Sequence, residues 1–264
     1  MTPFPISAML TSLPLAFEPA VHQAAALGFQ LVDVVALTDR PQSHVEALAE
    51  TGLTVSCCPI GRDLPKPHSL DADSIADRRA GVEAMQSQIA DAARLGATHG
   101  YVLPGMDQDP EALARFAEAC TLLADYAARR MIKLCVEHVS GRALPTATGL
   151  LQWLEEVNHP NLFLLLDVGH CTISGEDAAA VVARAGTRLG YIHCDDNDGV
   201  GDLHWPLLTG KLTEERLSAI IAALPVTGYP GPLALELNPG NADPVAALRD
   251  GKATLVRLMR ERQT

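Results

Sequence analysis

Eight short apolar runs alternate with eight amphipathic stretches along a chain of 264 residues that no low-complexity linker divides. The pattern predicts an α/β protein of the (β/α)8 class, a TIM barrel, as a single domain over residues 1–264. Strict alternation with short connections implies parallel strands joined by right-handed crossovers, and a barrel of this kind needs about 250 residues. The competing arrangement, an open doubly wound sheet, usually carries a glycine-rich phosphate turn after its first strand, and Met9-Leu10-Thr11-Ser12-Leu13 is not one. Hydrophobic residues make up 48% of the chain and charged residues 20%, which is enough apolar material for a sizeable core.

Taken in order, Ile6 to Leu10 reads as the first strand and Ala16 to Leu27 as a helix closed by Gly28, where a left-handed cap carries no side-chain penalty. Leu31 to Ala36 is expected as strand two, Gln42 to Glu50 as a short helix closed by Gly52, and Leu53 to Cys57 as strand three. Ser74 with Asp77 three residues on resembles a capping box, opening a long helix to Leu95, and His99 to Leu103 follows as strand four. Asp109-Pro110-Glu111 joins an N-cap acid to a proline at the first helical position, and the alanine-rich pattern continues to Arg130. Lys133 to Val136 is strand five, ending at Glu137, and Thr148 is expected to cap a helix running to Val157. The apolar run Leu162 to Leu166 is too short for a membrane span; between His159-Pro160-Asn161 and Gly169 it fits a strand buried on both faces and ending at Asp167. Asp177 to Ala185 gives helix six, Leu189 to Ile192 strand seven ending at His193, and Thr213 to Ala223 helix seven. Leu233 to Leu235 is strand eight, ending at Glu236, and Asp243-Pro244 opens a last helix to Arg260.

The formal net charge of -12 opposes tight binding to nucleic acid or to anionic membranes, which relies on clustered lysine and arginine. Met1-Thr2-Pro3-Phe4-Pro5 has no basic region ahead of its apolar residues, so a secretory signal is not expected and a cytoplasmic location is. The six cysteines (Cys57, Cys58, Cys120, Cys135, Cys171, Cys194) form no CxxC pair and read as reduced packing residues. None of the four lysines (Lys66, Lys133, Lys211, Lys252) ends a strand inside the barrel, which disfavours Schiff-base chemistry.

In a TIM barrel the carboxyl ends of all strands open on one face. Glu137, Asp167, His193 and Glu236 end strands five to eight and so converge there. Three carboxylates and one imidazole make an oxygen-rich set for a divalent cation, with Mn²⁺ or Mg²⁺ favoured over Zn²⁺, Co²⁺ or Fe²⁺. A desolvated acid such as Asp167 is costly unless it is paired, hydrogen-bonded or bound to a cation, which points the same way. His170, three residues after Asp167, is open to three roles: ligand, donor to substrate, or rim residue. Asp202 and His204, in the loop after strand seven, are a second ligand-like pair, so His170, Asp202 and His204 form a candidate second-metal set. Trp205 could wall a ligand pocket or pack its own loop. Arg62, Lys66 and Arg142 lie in loops at the same face, where they could bind substrate or stay solvated. His22, His44 and His159 fall on or beside outer helices, His99 begins strand four at the closed end of the barrel, and His138 is expected to point away from the lumen.

Val136-Glu137-His138, Leu166-Asp167-Val168-Gly169-His170, Tyr191-Ile192-His193-Cys194-Asp195-Asp196-Asn197-Asp198-Gly199, Gly201-Asp202-Leu203-His204-Trp205-Pro206 and Leu233-Ala234-Leu235-Glu236 resemble, in this order, the motifs of the xylose-isomerase-like TIM barrels. That superfamily includes sugar isomerases and epimerases and the apurinic endonuclease called endonuclease IV. The resemblance spans strands five to eight; the first half of the chain shares only the βα rhythm. In the epimerase branch it implies a metal held by Glu137, Asp167, His193 and Glu236, with His170 contacting substrate and Glu137 and Glu236 as the acid/base pair. In the endonuclease branch it implies a larger cluster that adds His170, Asp202, His204 and histidines on strands three and four. There this sequence has Cys58-Pro59 and Pro104-Gly105, and that departure, with the acidic net charge, argues against a DNA-repair site. The expected activity is that of a divalent-metal-dependent isomerase or epimerase acting on a sugar, keto-polyol or keto-acid through a metal-stabilised cis-enediolate. The alternatives are a lyase (dehydratase) or hydrolase on the same site, and a non-catalytic sugar-binding protein. The expected partner is a small-molecule carbohydrate or keto-acid, with no nucleic acid and no membrane; a homo-oligomer is left open.

Overall fold

The computed structural model describes residues 4–262. Residues 1–3, the start of the segment read as lacking a secretory signal, and residues 263–264 lie outside the described residues. The strands β1 (Ile6–Met9), β2 (Leu31–Asp33), β3 (Thr54–Pro59), β4 (His99–Val102), β5 (Lys133–Glu137), β6 (Leu162–Asp167), β7 (Leu189–Cys194) and β8 (Leu233–Leu235) form a closed barrel in chain order. Each pairs with its neighbour in parallel, and β1 pairs with β8 to close the ring. The fold is therefore the (β/α)8 TIM barrel that the alternation predicts.

The outer layer consists of α1 (Phe17–Ala26), α2 (Gln42–Thr51), α3 (Ile75–Arg94), α4 (Pro110–Ala128), α5 (Ala147–Val157), α6 (Val168–Ser174), α7 (Ala178–Ala185), α8 (Glu214–Thr227) and α9 (Pro244–Glu261). Among the described residues this is one helix more than the sequence pattern predicts. The addition is α6, which starts directly from β6 because Asp167 is both the last strand residue and the helix cap, its Oδ1 accepting the His170 N–H at 2.7 Å. A helix of seven residues has too few turns to show a period in sequence.

Three further expectations are corrected. The cap of α5 is Thr146, whose Oγ1 accepts the Gly149 N–H at 3.0 Å, whereas the Thr148 N–H donates to Glu176. Helix α8 runs past Ala223 to Thr227, with Pro225 inside its last turn, because Leu217, Ile220, Ile221 and Leu224 keep one apolar face buried. Strand β2 stops at Asp33, short of the expected Ala36, where its register against β3 shifts between Val32 and Asp33. No helix among the described residues is long and apolar enough to cross a membrane.

Side-chain alternation divides the core in two. Leu134, Val136, Leu164, Leu166, Ile192, Cys194, Leu233 and Leu235 pack outward against the helices, while Cys135, Leu165, Tyr191 and Ala234 join Met9, Cys57 and Tyr101 inside the barrel. All six cysteines are free and buried. A buried ion pair pins the loop after β2 to α3: Arg40 Nη2 lies 2.7 Å from Asp91 Oδ2, and both side chains are almost inaccessible. Removing one partner of such a pair typically costs about 3–5 kcal/mol, because the other charge stays buried.

His99 sits at the closed end of the barrel, two residues before Tyr101, with its ring 5.3 Å from that of Tyr191. Burial, with Lys133 nearby, pushes its pKa from 6.5 down to about 4, so between those values the folded protein binds fewer protons than the unfolded chain. The stability carried by neutral His99 is then complete above pH 6.5 and lost as the pH falls toward 4. We expect the urea midpoint to drop across this window. His99→Gln should flatten the drop by on the order of 3 kcal/mol of unfolding free energy, and an unchanged slope would contradict the assignment.

Candidate active site

At the carboxyl ends of β5 to β8 the inward-facing positions change from apolar to charged within one strand period. Cys135 is followed by Glu137, Leu165 by Asp167, Tyr191 by His193 and Ala234 by Glu236. The four residues are buried, none more than 8% exposed, and one ligand atom from each lies within 4.8 Å of all the others.

His193 is at the centre of this group. Its Nδ1 lies 2.6 Å from Glu236 Oε2, 3.2 Å from Glu137 Oε1 and 4.0 Å from Asp167 Oδ2. The rings of Tyr101 and Tyr191 meet it edge-on, with centroids at 5.2 and 5.8 Å. Burial opposes a charged imidazole here, but Glu236 and Glu137 outweigh it and hold the His193 pKa well above its ordinary value. The two glutamates move apart. Burial raises the Glu137 pKa, whereas at Glu236 the charge of His193, with His204 and Arg62, overcomes burial and keeps the carboxylate ionised.

The donor set fits a divalent cation. Asp167 spends one oxygen on capping α6, and its Oδ2 is buried without a hydrogen-bond partner, on the side of the other three groups. An orphaned carboxylate oxygen among two further carboxylates is unfavourable unless a positive charge is shared between them. Glu137, Asp167, His193 and Glu236 could therefore hold one ion while leaving coordination positions open.

The remaining sequence candidates divide. Arg62 reaches the group: its Nη2 donates to Tyr101 Oη at 2.9 Å and to Glu236 Oε1 at 3.3 Å, while 43% of the side chain stays exposed at the mouth. His170 is buried beside the group, with Nδ1 unpartnered and Nε2 3.8 Å from Asp202 Oδ1. Asp202 and His204 approach it, with His204 Nε2 2.9 Å from Asp202 Oδ1, so the structure also gathers His170, Asp202 and His204. Arg142 is not brought in: it donates to the Pro104 carbonyl at 2.9 Å and ties the loops after β4 and β5 together. Trp205 forms an antiparallel backbone bridge with Asp196, its side chain half-buried. Lys66 is exposed, and His138 points outward from β5, accepting the Asp167 N–H.

Sequence reasoning passed over Asp33, Tyr101, Tyr191 and Asp195. Asp195 accepts the Gly169 N–H at 2.9 Å and lies 3.0 Å from His204 Nδ1; burial, with Asp167 nearby, pushes its pKa up to about 7. A Cβ on Gly169 would come within 2.4 Å of Asp195 Oδ2, so the glycine is what lets the start of α6 lie on this acid. Asp33 carries the same signal as Asp167, an acid closing the apolar run Leu31-Val32, but reading the strand through to Ala36 hid it.

Residues 21–258 match the family model described as xylose isomerase-like TIM barrel. The chain is similar to an L-ribulose 3-epimerase of Methylomonas sp. (strain DH-1), 36% identical over 127 residues, which make up 47% of this chain and 41% of that protein, less than half its length. A ketose 3-epimerase of Arthrobacter globiformis is 29% identical over 231 residues, 82% of this chain and 76% of that one. Among solved structures, an L-ribulose 3-epimerase superposes with a TM-score of 0.81 at 22% identity, covering 98% of this chain and 96% of that one, a likeness of fold.

Asp167→Asn should keep the α6 cap, since asparagine caps about as well as aspartate, while removing one charge from the group. Titration calorimetry with Mn²⁺ should then show affinity weakened by roughly a hundredfold or more, given that outer-shell partners alone are typically worth 10–100-fold. Equal affinity in wild type and variant would take Asp167 out of the ligand set.

Proposed function

Because the chain belongs to the xylose isomerase-like TIM barrel family, we propose that it is a divalent-metal-dependent sugar isomerase or epimerase that moves a proton at a carbon next to a carbonyl. The observation that carries this reading is the pair Glu137 and Glu236. They project from β5 and from the end of β8 onto the same nitrogen of His193, in environments that push their pKa values in opposite directions. The ketose 3-epimerases among its relatives support the same reading.

Glu137, Asp167, His193 and Glu236 would hold the ion, with Mn²⁺ or Mg²⁺ favoured by the oxygen-rich set. When bound, it would supply Lewis acidity toward a carbonyl oxygen and the neighbouring hydroxyl of a ketose or keto-acid. Glu236, kept ionised, is suited to take the proton from the hydroxyl-bearing carbon next to the carbonyl, and Glu137 to return one. Return to the opposite face of the same carbon inverts it, giving an epimer. Return to the former carbonyl carbon, with the hydroxyl proton passing to the former carbonyl oxygen, gives an aldose/ketose isomer. In the reverse direction the two carboxyls exchange roles. His170, with Nδ1 unpartnered, offers a contact for a substrate hydroxyl, and Arg62 offers donors at the mouth.

With Mn²⁺ present, a panel of ketoses and keto-acids incubated in D₂O should yield an epimer or isomer carrying deuterium at the reacting carbon, read by mass spectrometry and NMR. Glu137→Gln and Glu236→Gln should each stay folded and lose on the order of a hundredfold or more in rate. Turnover without solvent deuterium would remove the proton-transfer role in favour of a hydride shift, and turnover with loss of water would select a dehydratase.

A further inference from the structure

On the side of His193 away from the three carboxylates lies a buried acid that the proton transfer does not use. Asp33 closes β2 with no solvent exposure. Its Oδ1 is surrounded by hydroxyls, accepting from Ser7 and Tyr191 at 2.7 Å each and from Ser56. Its Oδ2 has no hydrogen-bond partner and faces His193 Nε2 at 4.0 Å, and that nitrogen is likewise buried without a partner. Two orphaned polar atoms aimed at one another each carry the desolvation cost of an unmade hydrogen bond, and a shift of about 1 Å would bring them to bonding distance.

The His193 ring is held so that this pairing has a consequence. Tyr101 and Tyr191 flank it edge-on at interplanar angles of 80° and 88°, which keeps Nδ1 toward Glu236, Glu137 and Asp167 and Nε2 toward Asp33. An imidazole that ligates a cation through Nδ1 is neutral and carries its one proton on Nε2, the nitrogen on the side of Asp33.

We infer that Asp33 is a positioning residue for His193: by accepting the Nε2–H it selects the tautomer that turns the Nδ1 lone pair toward the carboxylate group. This rests on the reading of Glu137, Asp167, His193 and Glu236 as a cation site. The carboxylate is specific to the task, since an amide at this position would keep its oxygen among the three hydroxyls and turn its NH₂ toward Nε2, favouring the opposite tautomer.

Asp33→Asn has nearly the same volume and keeps an acceptor for Ser7, Ser56 and Tyr191. Its Mn²⁺ affinity, measured by titration calorimetry, should weaken by roughly 10–100-fold, while its melting temperature in EDTA stays near that of wild type. A second measurement needs no variant at Asp33: in wild-type protein labelled with ¹⁵N-histidine and loaded with Zn²⁺, His193, identified by its loss in His193→Gln, should carry its proton on Nε2. Undiminished Mn²⁺ affinity in Asp33→Asn overturns the inference while leaving the cation site standing, and a His193 protonated on Nδ1 overturns the inference and takes His193 out of the ligand set. Wild-type protein that binds neither ion overturns both.

Discussion

Side chains on a β-strand point alternately to its two faces, and in a closed barrel the inner face meets solvent only at the ends of the strands. On β5 to β8 that alternation puts Cys135, Leu165, Tyr191 and Ala234 in the lumen, and two residues later Glu137, Asp167, His193 and Glu236. Four strands in parallel register are therefore enough to bring ionisable groups from residues 137 to 236 within 4.8 Å of one another. A register slip of one residue on any of these strands would exchange a charged group for an aliphatic one and turn the charge into the helix-packed core, at a desolvation cost the fold could not absorb.

Crowding three carboxylates in a buried site is unfavourable, and the surrounding structure offsets it in stages. His193 stands among them and Arg62 leans on Glu236 from the rim. The N–H groups at the start of α6 supply further compensation: one meets Asp167 and another meets Asp195. The extra helix thus belongs to the electrostatics of the site. Its first turn places backbone donors against two acids that would otherwise be buried without them.

The loop after β7 shows how an acid-rich stretch can be structural and chemical at once. Asp196 accepts the N–H groups of Gly210 and Leu212 and folds the loop back on itself. The neighbouring Asp195 faces the site and, with Asp202, grips His204, which adopts a positive φ of 46°. A non-glycine residue in that region is costly unless its surroundings enforce it. Here the His204 carbonyl accepts the Asn238 N–H from the loop after β8, and the ring lies between two carboxylates.

Local information carried much of this. Short runs of three to five residues ending in an acid or histidine identified β5 to β8 and the four converging residues, because strand length, burial and the requirement for a polar terminus are written in consecutive residues. Helix ends marked by Asp109-Pro110, Asp177, Thr213 and Asp243-Pro244 were legible for the same reason. Lateral relations were not. That Arg62 reaches Glu236 across 174 positions while Arg142 turns to Pro104, and that Tyr191 and Asp33 meet across 158, follows from closure of the ring, which no segment encodes by itself. The sequence determined which residue types end the strands and therefore that charge gathers at one mouth. Only the tertiary structure decided which nitrogen of His193 faces the carboxylates and which faces Asp33, because that choice depends on rings and acids contributed by β2, β4 and β7 packing at once.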